Sequence, residues 1–80
     1  MAQLARTPRQ IGEILRRRRV SLNLSQGELA AQAGTRQATV SQVENGQPAR
    51  LQTICDLIEA LGLEMTIDAR SRGRDIEDIF

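Results

Sequence analysis

Residues 25–46, SQGELAAQAGTRQATVSQVENG, decide how this chain is read. Ser25 followed three positions later by Glu28 is a capping box: the serine oxygen and the glutamate each satisfy a free backbone donor at a helix start. Leu29, Ala30 and Ala33 are the inward positions of that helix, and Gly34 ends it. Thr35 reads as the cap of a next helix, with Val40 and Val43 inward and "ENG" closing it at Gly46. Two short helices joined so tightly must cross steeply. The crossing needs a small residue, the turn a permissive one, and the gap a branched apolar plug. Ala30, Gly34 and Val40 stand at those three places, so the stretch reads as a helix-turn-helix. A generic helical bundle would explain each residue singly but not the combination.

Outward from this unit, Ile11, Ile14, Leu15 and Leu22 are spaced for a helix over residues 9–22. It contains four consecutive arginines, and because successive helical residues turn by about 100° these cannot share a face. Arg16, Arg17 and Arg19 fan around the outside. Arg18 falls within the apolar stripe and is expected to snorkel, laying its methylenes on the core edge. A fourth helix is expected over residues 51–61, with Leu51, Ile54, Cys55, Ile58 and Leu61 on one face and Gly62 as its stop. Pro48 keeps the preceding loop from continuing the third helix. Beyond Gly62 the period changes to two: Leu63, Met65 and Ile67 alternate with Glu64, Thr66 and Asp68, a strand with one apolar face. No second strand is visible, so its partner must come from another chain. Residues 1–8 read as a loose arm, 9–69 as the folded domain and 70–80 as a flexible tail.

The fold class expected is therefore mainly α: four helices plus one C-terminal strand that pairs across a dimer. Eighty residues make one small domain with a marginal core, which oligomerisation would reinforce. A single cysteine excludes an internal disulfide, and Cys55 on its apolar stripe reads as a buried structural thiol. The absence of histidine excludes histidine-based metal sites and Ser-His or Cys-His nucleophiles. No acid, base and nucleophile cluster together, so neither enzyme nor cofactor is expected. No apolar run is long enough for a membrane span and the first residues lack a signal-peptide core, which makes a cytoplasmic location the expectation. The net charge of +1 hides an asymmetry: residues 1–50 carry +5 and residues 51–80 carry −4. A basic half suits a polyanion, and an acidic half something else.

"LSQGELAAQAGTRQATVSQVENG" resembles the phage-repressor (Cro/C1, or XRE) class of helix-turn-helix proteins across residues 9–62. The passage "LIEALGLEMTIDAR" and the acidic tail ending in an aromatic residue extend the likeness to HipB-like antitoxins. That resemblance implies a dimeric repressor that binds inverted-repeat operator DNA and a HipA-like kinase toxin. It also implies that Arg19 pairs with Glu44, tying the first helix to the end of the recognition helix. In such proteins the start of the third helix enters the major groove, while the second helix's N-terminus and the loop after the third hold phosphates.

Transferred to this sequence, Gln37 is the expected base reader, since a glutamine amide matches the N6/N7 edge of adenine. Ala38 and Thr39 offer methyl groups to a thymine, and Arg36 reaches a guanine or a phosphate. Ser41 and Gln42 are further readers one turn along. Gln26 at the second helix's start, with Asn45, Gln47 and Arg50 after the third, are the expected phosphate contacts. Leu63, Met65 and Ile67 would form the dimer strand. The tail residues Ile76, Ile79 and Phe80, set among carboxylates, would serve a protein partner. Two other readings compete: a stand-alone regulator without a toxin, and an interaction module that no longer binds DNA. Gln26, Gln37 and Arg50 on the would-be DNA face argue against the second.

Overall fold

The computed structural model describes residues 2–70 and contains four helices: α1 (Pro8–Ser21), α2 (Gln26–Ala33), α3 (Gln37–Glu44) and α4 (Leu51–Ala60). α1 starts one residue earlier than expected, for a local reason. Thr7 Oγ1 accepts the Gln10 N–H at 3.1 Å, and Pro8 takes the first helical position, where its missing N–H costs nothing. Residues 2–6 ahead of it are exposed and belong to no regular element.

All four helices close in the same way. The N–H of Leu24, Thr35, Gln47 and Leu63 reaches back to the carbonyl of Arg19, Ala30, Gln42 and Ile58 respectively, at 2.9–3.1 Å. Each closure requires a left-handed residue just before the donor, and Gly34, Gly46 and Gly62 supply three of them. Asn23, at φ 58°, supplies the fourth; asparagine tolerates this region better than most side chains.

The α2 start is a complete capping box. Ser25 Oγ accepts the Glu28 N–H at 3.0 Å, and Glu28 Oε1 accepts the Ser25 N–H at 2.8 Å. The bond from the Ser25 backbone, and then that from its side chain, lower the Glu28 pKa from its ordinary 4.5. Because folding lowers the pKa, this contribution is complete above 4.5 and is lost as the pH falls through the lower folded value. Glu28→Gln is thus expected to lower the thermal midpoint at neutral pH and to match the wild type in strong acid. Equal midpoints at neutral pH would show that the charged cap contributes nothing. Thr35, in contrast, does not cap α3. Its N-cap is Arg36, which makes no side-chain capping bond, because Thr35 is consumed in closing α2.

Leu15, Leu29, Ala30, Val40, Val43, Leu57 and Leu61 form the buried core. α2 packs on both α3 and α4, and α1 packs on α3. Gly12 is buried where α1 meets the end of α3: a Cβ there would lie 2.3 Å from the Val43 carbonyl oxygen and 2.8 Å from that of Glu44. On α4 the expected inward stripe is rotated. Leu57 is 1% exposed and Leu51 is 70% exposed, while Ile54 and Ile58 pack at the core edge. Cys55 is half-buried, lining a shallow groove with Ile58, Leu63 and Met65. Leu22 is exposed as well, since the chain leaves the helix at that residue. Arg18 does lie at the core edge, and its Nε donates to the Leu61 carbonyl at 2.9 Å, satisfying an acceptor freed by the end of α4.

Residues 63–68 adopt no regular element in the single chain. Among the described residues there is no strand, because a ladder requires a neighbour's donors and acceptors and the single chain supplies none. Leu63 packs against the core, whereas Met65 is 48% and Ile67 95% exposed, so Met65 is not a core residue of the lone chain. No helix among the described residues is long and apolar enough to cross a membrane.

Candidate nucleic-acid interface

α3 buries Val40 and Val43 and turns its opposite side outward. Arg36, Gln37, Ala38 and Gln42 are exposed, while Thr39 and Ser41 are half-buried at the margins of that face. Gln37 Oε1 lies 3.6 Å from the point a Cβ on Gly27 would occupy. The first residue of the proposed recognition helix therefore reaches over the first turn of α2. α2 and α3 pack on one another, which brings the two helix starts together. Gln37 thus lies beside Gly27, the neighbour in sequence of Gln26. Asn45, Gln47 and Arg50 are all exposed in the segment after α3.

Behind this face sits a buried polar knot. Glu44 Oε2 accepts from Arg19 Nε at 2.6 Å, and Glu44 Oε1 accepts from Arg19 Nη2 at 3.0 Å. Arg19 Nη1 also donates to the Leu24 carbonyl at 2.8 Å. The hydrogen bond to Glu44 raises the Arg19 pKa, outweighing the opposite effect of burial. A third donor completes the knot: Gln26 Nε2 reaches Glu44 Oε1 at 3.1 Å. Glu44 thus joins the last turns of α1, the first residue of α2 and the last residue of α3. Among the described residues no buried polar side-chain atom lacks a partner.

The pairing of Arg19 with Glu44 matches the expectation. The attachment of Gln26 to Glu44 has no local sequence signal, since the two positions lie in different helices. It changes the picture of Gln26, whose amide nitrogen is half committed to the fold. Its remaining amide proton and the backbone N–H groups of the α2 start are the donors it can present to a phosphate. Ile76, Ile79 and Phe80 lie outside the described residues.

The "Helix-turn-helix" (HTH_3) family matches residues 15–67. Among solved structures, the HipB–O4 20mer complex is similar at 30% identity and a TM-score of 0.80, covering 86% of this chain and 99% of HipB. The HipA–HipB–O2–O3 complex is similar to the same degree, with the same identity, TM-score and coverage. A HipB–O1–O2 complex follows at 30% identity and a TM-score of 0.78, covering 85% of this chain and 100% of HipB. With the helix order, the Ala30–Gly34–Val40 crossing and the Arg19–Glu44 tie all in place, the chain belongs to the XRE-type helix-turn-helix family, among its HipB-like members.

Proposed function

We propose that this DNA-binding regulator is a sequence-specific repressor that serves as the antitoxin of a HipA-type kinase and represses its own operon. The observation that carries this is the likeness to HipB along almost the whole of that protein, at 30% identity, in complexes with O-numbered sites and with HipA. On our reading those sites are operator duplexes, and Gln26, Gly27 and Gln37 face the corresponding duplex here. α3 lies in the major groove, where Gln37 reads an adenine edge, Ala38 and Thr39 meet a thymine methyl, and Arg36, Ser41 and Gln42 extend the contact. Gln26, Asn45, Gln47 and Arg50 hold phosphates on either side. The protein's task is recognition, not catalysis.

The functional unit is a homodimer. The extended segment with Leu63, Met65 and Ile67 leaves backbone donors and acceptors that a second copy can satisfy across a two-fold axis. Two recognition helices so related match an inverted repeat. The HipA-like kinase is then met by another part of the surface, to which the tail with Ile76, Ile79 and Phe80 contributes.

The test is a mobility shift on the region upstream of the chain's own gene, together with copurification of a kinase encoded beside it. Gln37→Ala is expected to weaken operator binding by about 1–3 kcal/mol and to leave binding to unrelated duplex almost unchanged. Gln26→Ala and Arg50→Ala are expected to weaken both, since phosphates are common to all sequences. A Gln37→Ala protein weakened equally on all duplexes would remove Gln37 from base reading. A stable complex with operator but none with the neighbouring kinase would leave a stand-alone regulator.

A further inference from the structure

We propose that the start of α1 and the arm before it form an additional DNA-backbone contact, with Arg6 and Arg9 holding phosphate oxygens beside the loop that follows α3. The proposal rests on the DNA-binding reading above. Its geometry comes from Gly46. A Cβ on Gly46 would lie 2.8 Å from Arg9 Cα and 3.1 Å from Arg9 Cβ, so the turn leaving α3 is in direct contact with the first turn of α1. The Arg9 side chain therefore sets out from the wall of the segment that carries Asn45, Gln47 and Arg50, and it is exposed.

Arg6 is anchored at the same corner. Its N–H donates to Gln10 Oε1 at 2.6 Å, and the Gln10 N–H is in turn held by Thr7 Oγ1 at 3.1 Å. The chain is thus fastened to α1 immediately before the arm departs, which fixes where the Arg6 side chain begins. The first carboxylate in the sequence is Glu13, so no acidic residue accompanies these two arginines in the arm or the first turn. Among the described residues neither has an ion-pair partner, unlike Arg19, which is committed to Glu44. A planar, weakly hydrated guanidinium without an internal partner, placed next to a phosphate-holding loop, suits a phosphate oxygen.

A specific contact must be told apart from a general positive field, which any exposed arginine would supply. Arg17, exposed further along α1, is the control. Phosphate contacts do not depend on sequence, so the probe can be a duplex of unrelated sequence as well as the upstream region. Arg6→Ala, Arg9→Ala, the double variant and Arg17→Ala would be titrated across a salt series, with thermal melts alongside. Each of the first two is expected to lower affinity several-fold on both duplexes and to reduce the salt slope by about one, with the melt of Arg6→Ala unchanged. Arg17→Ala is expected to cause a smaller loss. Equal losses for Arg17→Ala and the arm variants, or arm variants with wild-type affinity and slope, would overturn the contact while leaving the DNA-binding reading intact. A wild-type protein that bound neither duplex at low salt would overturn both.

Discussion

Gly12→Ala is expected to destabilise the fold by about 2 kcal/mol or more, although alanine is the better helix former. In an exposed helix interior the exchange would gain about 1 kcal/mol. Here the added methyl would sit 2.3 Å from the Val43 carbonyl oxygen, 2.8 Å from the Glu44 oxygen and 3.0 Å from the Glu44 carbonyl carbon. All three are backbone atoms at the end of α3, so no side chain can swing aside, and α1 must lift away from α3. Overpacking commonly costs about 1–3 kcal/mol, and a rigid backbone opposite the methyl puts this site at or beyond the upper end. The lift would also strain Arg19, on the same helix, away from Glu44. Gly27→Ala is the matched control: its Cβ would meet Gln37 Oε1 at an ordinary 3.6 Å, so it should be neutral or slightly stabilising. Urea denaturation of both variants is the measurement. A Gly12→Ala protein as stable as Gly27→Ala would mean that the α1–α3 contact yields easily.

Gly12 also marks where reading the sequence stops. The helix-turn-helix was legible because its determinants are local: the Ser25–Glu28 box, the small Ala30, the left-handed Gly34 and the plug Val40 lie within two helices of one another. The outward residues of α3 follow from the inward ones by helical phase, which is why Gln37, Ala38 and Gln42 fall on an exposed face as expected. Gly12 gave no such signal. On its own it reads as a weak point in a helix, and its reason is the backbone of a distant segment. α4 failed differently. Leu51, Ile54, Cys55, Leu57, Ile58 and Leu61 put apolar groups on more than one of its faces, so periodicity could not say which face α2 would cover. Packing chooses Leu57 and Leu61, leaving Leu51 and part of Cys55 outside. The helical phase of Arg18 puts a charge at the core edge, but its acceptor, the Leu61 carbonyl, is free only because α4 ends there.

Glu44→Ala is expected to cost about 3 kcal/mol or more, and burial is the reason for placing it so high. An exposed Arg–Glu pair contributes about 0–1 kcal/mol. Removing one member of a buried pair costs about 3–5 kcal/mol, because the other charge stays behind without compensation. The Glu44 side chain is 4% exposed and that of Arg19 12%, with two hydrogen bonds between them, so the second regime applies. Arg19 would retain only its bond to the Leu24 carbonyl, which holds the loss toward the lower end of that range. Glu44→Gln keeps an acceptor for one arginine donor and should cost less. Joining Glu44→Ala to Arg19→Met should recover part of the loss, since no charge is then stranded, and a double-mutant cycle in urea would measure the coupling. The same carboxylate also holds the Gln26 amide, so its removal should reach the face proposed to meet DNA. Under conditions where the variant is still folded, affinity should fall for operator and unrelated duplex alike, the pattern of a lost phosphate contact and not of a lost base reader. A destabilisation below about 1 kcal/mol, the range of an exposed pair, would refute the buried-knot account. Full stability loss with unchanged affinity for both duplexes would show instead that the Gln26–Glu44 bond contributes nothing to DNA binding.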